Sequence, residues 1–202
     1  MNKSTALPYS IIALDLDGTL TNSEKNITPR TFDALMKAQR EGVRLVLASG
    51  RPTFGIAALA NQLQLADYAG YVLSYNGGRI IDWCEKTVIF SQVVDQKLVP
   101  ILYDFAEKAQ LPIVTYLPDA ILASKNEGEY LAEEARINGM PVVVAQNFVE
   151  EAMQIAGGST KFLIPGEPEL LIQLESDMKA ALSEQMEVFR SAPFFLELPP
   201  KG

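Results

Sequence analysis

Two aspartates, Asp15 and Asp17, stand two positions apart at the end of the apolar run in IIALDLDGTL, residues 11 to 20. Residues two apart on extended backbone point the same way, so both carboxylates can reach one reacting atom from a single strand end. Asp15 can attack a phosphoryl group as a nucleophile while Asp17 protonates the leaving oxygen. A magnesium ion held by Asp15 and Asp17 screens the repulsion between two anions that must touch. Gly18 lets the backbone approach closely, and amides there can cradle phosphoryl oxygens. Two other readings compete. A calcium loop of EF-hand type opens with the same pattern but needs a glutamate at its twelfth position, which here is Asn26. A surface turn accounts for Asp17 and Gly18 but not for Asp15, because a carboxylate closing a covered strand is costly unless a cation offsets it.

Composition narrows the chemistry further. Histidine is absent, which removes Ser-His-Asp and Cys-His hydrolysis and most zinc sites. Lys and Arg number 17 against 25 Asp and Glu, a net charge of -8, so a nucleic-acid partner requiring many cationic contacts is disfavoured. Cys84 is the single cysteine, MNKSTALPYS does not read as a secretory leader, and no apolar run is long enough to span a bilayer. The expected setting is cytoplasmic, with no membrane partner.

The elements that must position the acids follow from periodicity. YSIIALD reads as a strand apolar on both faces, and TPRTFDALMKAQREG as a helix capped by Thr28, opened by Pro29 and stopped by Gly42. VRLVLAS is a second strand, residues 53 to about 63 a second helix, and GYVLSYN a third strand. Strand starts roughly thirty residues apart predict βαβ units and an α/β, doubly wound, Rossmann-like parallel sheet. Ligands bind at the carboxyl edge of such sheets, and ASGRP and SYNGG close the second and third strands there. Ser49, Gly50, Arg51 and Asn76 are therefore candidate substrate- and phosphate-binding residues. From Gly78 a hairpin, GGRIIDWCEKTVIFSQ, leads into less regular alternation. The predicted domains are a core over 1–84, an α+β unit over 85–194, and a return strand to the core over 195–202.

DLDGTL at residues 15–20 and Ser49 in LASGRP resemble the first two motifs of the haloacid dehalogenase-like phosphatases. YNGG around Asn76, with an inserted α+β cap before FLELPPKG, resembles their Cof-type sugar-phosphatase branch. The resemblance covers essentially the whole chain. It implies that Asp15 forms an aspartyl-phosphate and that Asp17 shuttles the proton while lending its backbone carbonyl to magnesium. It also implies that Ser49 bonds a phosphate oxygen, a role compatible with capping the following helix. Arg51 either contacts substrate or fixes its loop, and Asn76 either orients the phosphate or makes a turn with Gly77. The family's later lysine and its acidic G-D-x-x-x-D cluster have no counterpart before Gly202, since Lys161 and Lys201 occupy other positions.

The core is thus expected to be incomplete at its C-terminus. One edge of the first strand would be left open, to be covered by a homodimer contact or a missing C-terminal segment. Two functions are expected: a magnesium-dependent phosphatase of small phosphorylated metabolites, sugar phosphates foremost, or an impaired fragment acting as a phosphate-binding or assembly module. Tyr116, Tyr130 and Phe148 line a substrate cleft or belong to ordinary core.

Overall fold

Three parallel strands carry the candidate residues in the computed structural model, which describes residues 9–201. β1 (Ile11–Asp15), β2 (Arg44–Ala48) and β3 (Tyr71–Ser74) lie side by side in that order, joined by α1 (Pro29–Arg40) and α2 (Thr53–Gln62). Helix α1 starts where the Thr28 side chain accepts from the Thr31 N–H with Pro29 next in line, and the chain leaves it through Gly42 at φ 92°. Asp15 is level with Ala48, and Ala48 with Leu73, so all three strands end in one row. The hairpin of β4 (Arg79–Asp82) and β5 (Thr87–Ser91) adds two antiparallel strands beyond β3. Leu45 and Leu47 of β2, Val72 of β3, and Ile56 of α2 are fully enclosed in the core of this unit. Each such side chain contributes about 1.5–3 kcal/mol by burial.

β1 departs from the expectation of a strand covered on both faces. Among the described residues it is the end strand, paired only with β2. Ile12 and Leu14 pack on the core, whereas Ile11 is 54% exposed and Ala13 and Asp15 share its exposed side. The open edge expected from the sequence is present.

The chain divides into two compact units, Met1–Ser91 and Gln92–Gly202. The sequence reading places this boundary seven residues earlier, at 84/85; the structure moves it because residues 87–91 pair with β4. The second unit contains α3 (Val99–Lys108), β6 (Val114–Tyr116), β7 (Ile121–Ala123), α4 (Glu129–Asn138), β8 (Val142–Val144), α5 (Phe148–Met153), β9 (Phe162–Pro165), α6 (Pro168–Leu182), β10 (Phe189–Ala192) and β11 (Phe195–Leu198). Its sheet has the order β10-β11-β9-β6-β7-β8. The expected return strand over 195–202 is therefore an inner strand of this second sheet. Phe195, Leu196 and Leu198 are buried there, and β11 is antiparallel to both β9 and β10. Gly202 lies outside the described residues.

One face of that sheet buries charge. Lys161 Nζ lies 2.7 Å from Glu197 Oε2, with both side chains enclosed. Glu134 of α4 accepts from Tyr116 Oη at 2.7 Å and from Asn138 Nδ2 at 2.8 Å. Tyr116 is thus ordinary buried structure, as is Phe148. Burial pushes the Glu134 carboxyl above its usual range, although Lys161 and Tyr116 pull the other way. A raised folded pKa means that Glu134 contributes stability below the ordinary carboxylate range and loses it as pH rises through the raised value. Glu134→Gln, which mimics the protonated acid, is expected to flatten that fall. Urea midpoints from about pH 4 to pH 8 check this, and an unchanged slope in the variant is the contrary result.

Candidate active site

The turn after β1 is built by its own backbone. Leu20 N–H donates to Asp15 O at 3.1 Å, and Thr21 donates to Leu16 O through both N–H and Oγ1 at 2.9 Å. Leu16 and Leu20 are buried, which anchors Asp15 and Asp17 on either side of Leu16. Gly18 has φ 81°, yet a Cβ there would meet nothing within 4 Å. Its left-handed backbone, and not crowding within the chain, calls for glycine.

The loops after β2 and β3 lock together. Ser49 N–H donates to Leu73 O at 2.9 Å, Tyr75 N–H to Arg51 O at 3.0 Å, and Asn76 N–H to Ser49 O at 3.2 Å. A Cβ on Gly50 would lie 2.5 Å from Asn76 Oδ1, so the carboxamide keeps its present place only beside a residue without a Cβ and would otherwise turn aside. Asn76 and Tyr75 both take positive φ, at 58° and 55°, and form the turn with Gly77. The Ser49 hydroxyl accepts from Arg51 N–H at 3.2 Å. It does not cap α2, whose N-cap position is Pro52, with no side-chain bond.

Charge compensation at the acids is unequal. Arg51 grips Asp17 with a fork, Nη2 to Oδ1 at 2.6 Å and Nε to Oδ2 at 2.9 Å, and Lys25 Nζ adds a bond to Oδ1 at 2.7 Å. Asp15 is exposed, so the desolvation cost argued from a covered strand does not arise, and Thr19 Oγ1 donates to its Oδ2 at 3.1 Å. Partial burial raises the Asp17 carboxyl, but the bonds from Arg51 and then Lys25 outweigh it and hold the group below its ordinary value. A depressed pKa contributes stability above the ordinary carboxylate range, which is lost as pH falls through the folded value.

Hydrogen bonds thus link Asp17, Arg51, Ser49 and Asn76, with Gly50 against Asn76 and Asp15 level with the strand that leads into Ser49. Sequence reasoning misses Lys25 and Thr19. Thr19 stands inside the DGT motif, four residues past Asp15, a spacing that signals it; Lys25 sits in a polar turn that matches no motif.

Magnesium is bound by one or two carboxylates together with waters and substrate phosphate, and the Asp15 carboxylate and Asp17 backbone carbonyl are hard oxygen donors of that kind. The Asp17 carboxylate itself is occupied by Arg51 and Lys25. Among the described residues no group of three or more His, Cys, Asp or Glu could hold a metal.

A family model for haloacid dehalogenase-like hydrolases matches residues 12–202. A haloacid dehalogenase-like hydrolase from Bacteroides thetaiotaomicron, of known crystal structure, is 43% identical, covers 96% of this chain and 72% of its own, and superposes with a TM-score of 0.90. Proteins of Streptococcus pyogenes serotype M6 and of Bacillus subtilis (YxeH), each provisionally described as a phosphatase, are both 27% identical. Those matches cover 96% and 94% of this chain and 71% and 70% of the relatives. The sugar phosphatase BT4131 shares the fold, with a TM-score of 0.72 at 23% identity over 96% of this chain and 70% of its own.

Two substitutions probe the geometry. Arg51→Met removes the stronger of the two cationic grips, so the Asp17 carboxyl is expected to titrate closer to its ordinary value of about 3.9, read by carboxyl carbon-13 shifts; an unmoved midpoint is the contrary result. Gly50→Ala meets only the Asn76 side chain and is expected to turn that carboxamide aside at a cost below about 1 kcal/mol in urea unfolding; a larger loss is the contrary result.

Proposed function

The chain belongs to the haloacid dehalogenase-like hydrolases, in their Cof-type branch, and from that membership we propose that it is a magnesium-dependent phosphatase of small phosphorylated metabolites, sugar phosphates foremost. The observation that carries the reading is the placement of Asp15 and Asp17 at the carboxyl end of β1, in one row with the Ser49 loop. An Asp15 oxygen attacks phosphorus, the bond to the leaving oxygen breaks, and that oxygen takes its proton from Asp17, which must gain that proton against the pull of Arg51 and Lys25 before it passes it on. Water then returns a proton to Asp17 as it attacks the aspartyl-phosphate, releasing inorganic phosphate and restoring the Asp15 carboxylate. Ser49 and the amides of the locked loop bind phosphoryl oxygens, and Asn76 orients them. The Asp15 carboxylate and the Asp17 backbone carbonyl would hold magnesium, which would neutralise phosphoryl charge when bound.

The single cysteine, exposed and unpaired, accords with work in the cytoplasm. No helix among the described residues is long and apolar enough to cross a membrane.

The Asp17 carboxylate, bound by both Arg51 and Lys25, favours a second reading, a module that binds phosphate or a metabolite without turnover. The open edge of β1, with Tyr9 and Ile11 exposed, fits a further strand or a second copy of the chain. A well-behaved monomer in size-exclusion chromatography that binds no hydrophobic dye counts against that cover.

With magnesium and p-nitrophenyl phosphate, Asp15→Asn is expected to lose at least about 1,000-fold in turnover and Asp17→Asn about 100-fold or more. Equal, negligible release from the unaltered chain and Asp15→Asn leaves only the binding reading.

A further inference from the structure

We propose that Lys25 is a phosphate-binding cation, held on Asp17 until a phosphoester arrives and then passed to its phosphoryl oxygens, an assignment that rests on the phosphoester reading of the site. An ionised carboxylate offers about four lone-pair directions. On Asp17 three are taken, by Lys25 Nζ and Arg51 Nη2 at Oδ1 and by Arg51 Nε at Oδ2. One carboxylate thus carries two cations.

The two cations differ in how firmly they are held. The Arg51 side chain is 10% exposed, its Nη1 donates to Gly55 O at 3.3 Å, and its backbone is bonded to Ser49 and Tyr75. Lys25 is 45% exposed, on a flexible four-carbon stem. Half-exposed ion pairs of this kind are weak and readily exchanged. Lys25 is therefore the cation that moves, and an incoming phosphoryl group, which carries more charge than one carboxylate, is the partner that draws it off.

The position of the lysine is itself specified. Asn22 Oδ1 accepts from the N–H groups of Glu24 and Asn26 at 3.1 and 2.9 Å, and Lys25 N–H donates to Asn22 O at 2.9 Å. This closes a turn in which Lys25 sits at φ 62°. Glycine takes that conformation at least cost, so a turn built for its backbone alone is better served by glycine. A lysine stands there instead, with its ammonium on Asp17.

Isothermal titration with inorganic phosphate in the presence of magnesium tests the assignment. Lys25→Met is expected to weaken phosphate binding about tenfold (about 1.4 kcal/mol), and Lys25→Arg to stay within about threefold of the unaltered chain. Lys25→Gly, which relaxes the turn and keeps the fold, is expected to lose as much as Lys25→Met. In an Asp17→Asn background the loss on Lys25→Met grows, because the internal competitor for the ammonium is gone; a residue that only shapes the turn does not show this coupling. Phosphate affinity unchanged in Lys25→Met and Lys25→Gly overturns the proposal, as does an unaltered chain that takes up no phosphate. If turnover depends on Asp15 but phosphate affinity does not depend on Lys25, this assignment falls alone. Lys25-dependent phosphate binding without turnover sinks the phosphatase reading and leaves the assignment standing.

Discussion

Compensation of negative charge at the end of β1 is the constraint around which the first unit is arranged. Two carboxylates separated by one buried leucine cannot be spread apart, since Leu16 is fixed in the core and the turn behind it closes on Asp15 O and Leu16 O. The chain compensates Asp17 with its own cations and leaves Asp15 with a hydroxyl donor. This division fits the two roles proposed for the acids. A nucleophile needs an oxygen that is not held by a strong donor, whereas a group that passes a proton needs a fixed orientation. The Arg51 fork supplies that orientation, because a planar guanidinium bound through two donors fixes the carboxylate plane in a way that a single ammonium cannot.

Most of the fold is legible in the sequence where local chemistry and periodicity coincide. Thr28, Pro29 and Gly42 mark both ends of α1, and the GGRIIDWCEKTVIFSQ hairpin forms where its turn residues lie. Legibility fails where pairing is decided by distant partners. Nothing local in FLEL says whether the strand joins the first sheet or the second, and it joins β9 and β10 because they bury Phe195, Leu196 and Leu198. The covered-strand reading of β1 fails for a related reason: an apolar sequence states what a strand can bury, and only its neighbours state what it does bury.

The site is legible to a similar degree. Asp15, Asp17, Ser49, Gly50, Arg51 and Asn76 stand out because strand ends in α/β sheets gather polar loops, and the structure brings them to one row. The bond from Arg51 to Asp17 is not readable, since it spans 34 positions and depends on the register of β1 against β2. Lys25 escapes notice for a different reason. A lysine in a polar turn is the commonest kind of surface residue, and only its left-handed backbone and its contact with Asp17 set it apart.

Backbone strain shows how firmly this geometry is specified. Lys25, Tyr75 and Asn76 all hold positive φ within the loops that surround the acids. Residues other than glycine in that region cost of order 1–3 kcal/mol each, so the surroundings must over-determine them. Tyr75 and Asn76 are held by bonds that cross between loops, Tyr75 N–H to Arg51 O and Asn76 N–H to Ser49 O, whereas Lys25 is held by the local Asn22 turn and by its ammonium on Asp17. Each strained residue is thus tied to a loop carrying one of the candidate groups, and relaxing any one of them moves a polar atom of the site. Strain confined to ordinary surface turns, as at Lys86 in the β4–β5 hairpin, has no such coupling. The cross-loop bonds at the ends of β2 and β3 supply the preorganisation that the proposed phosphate site requires.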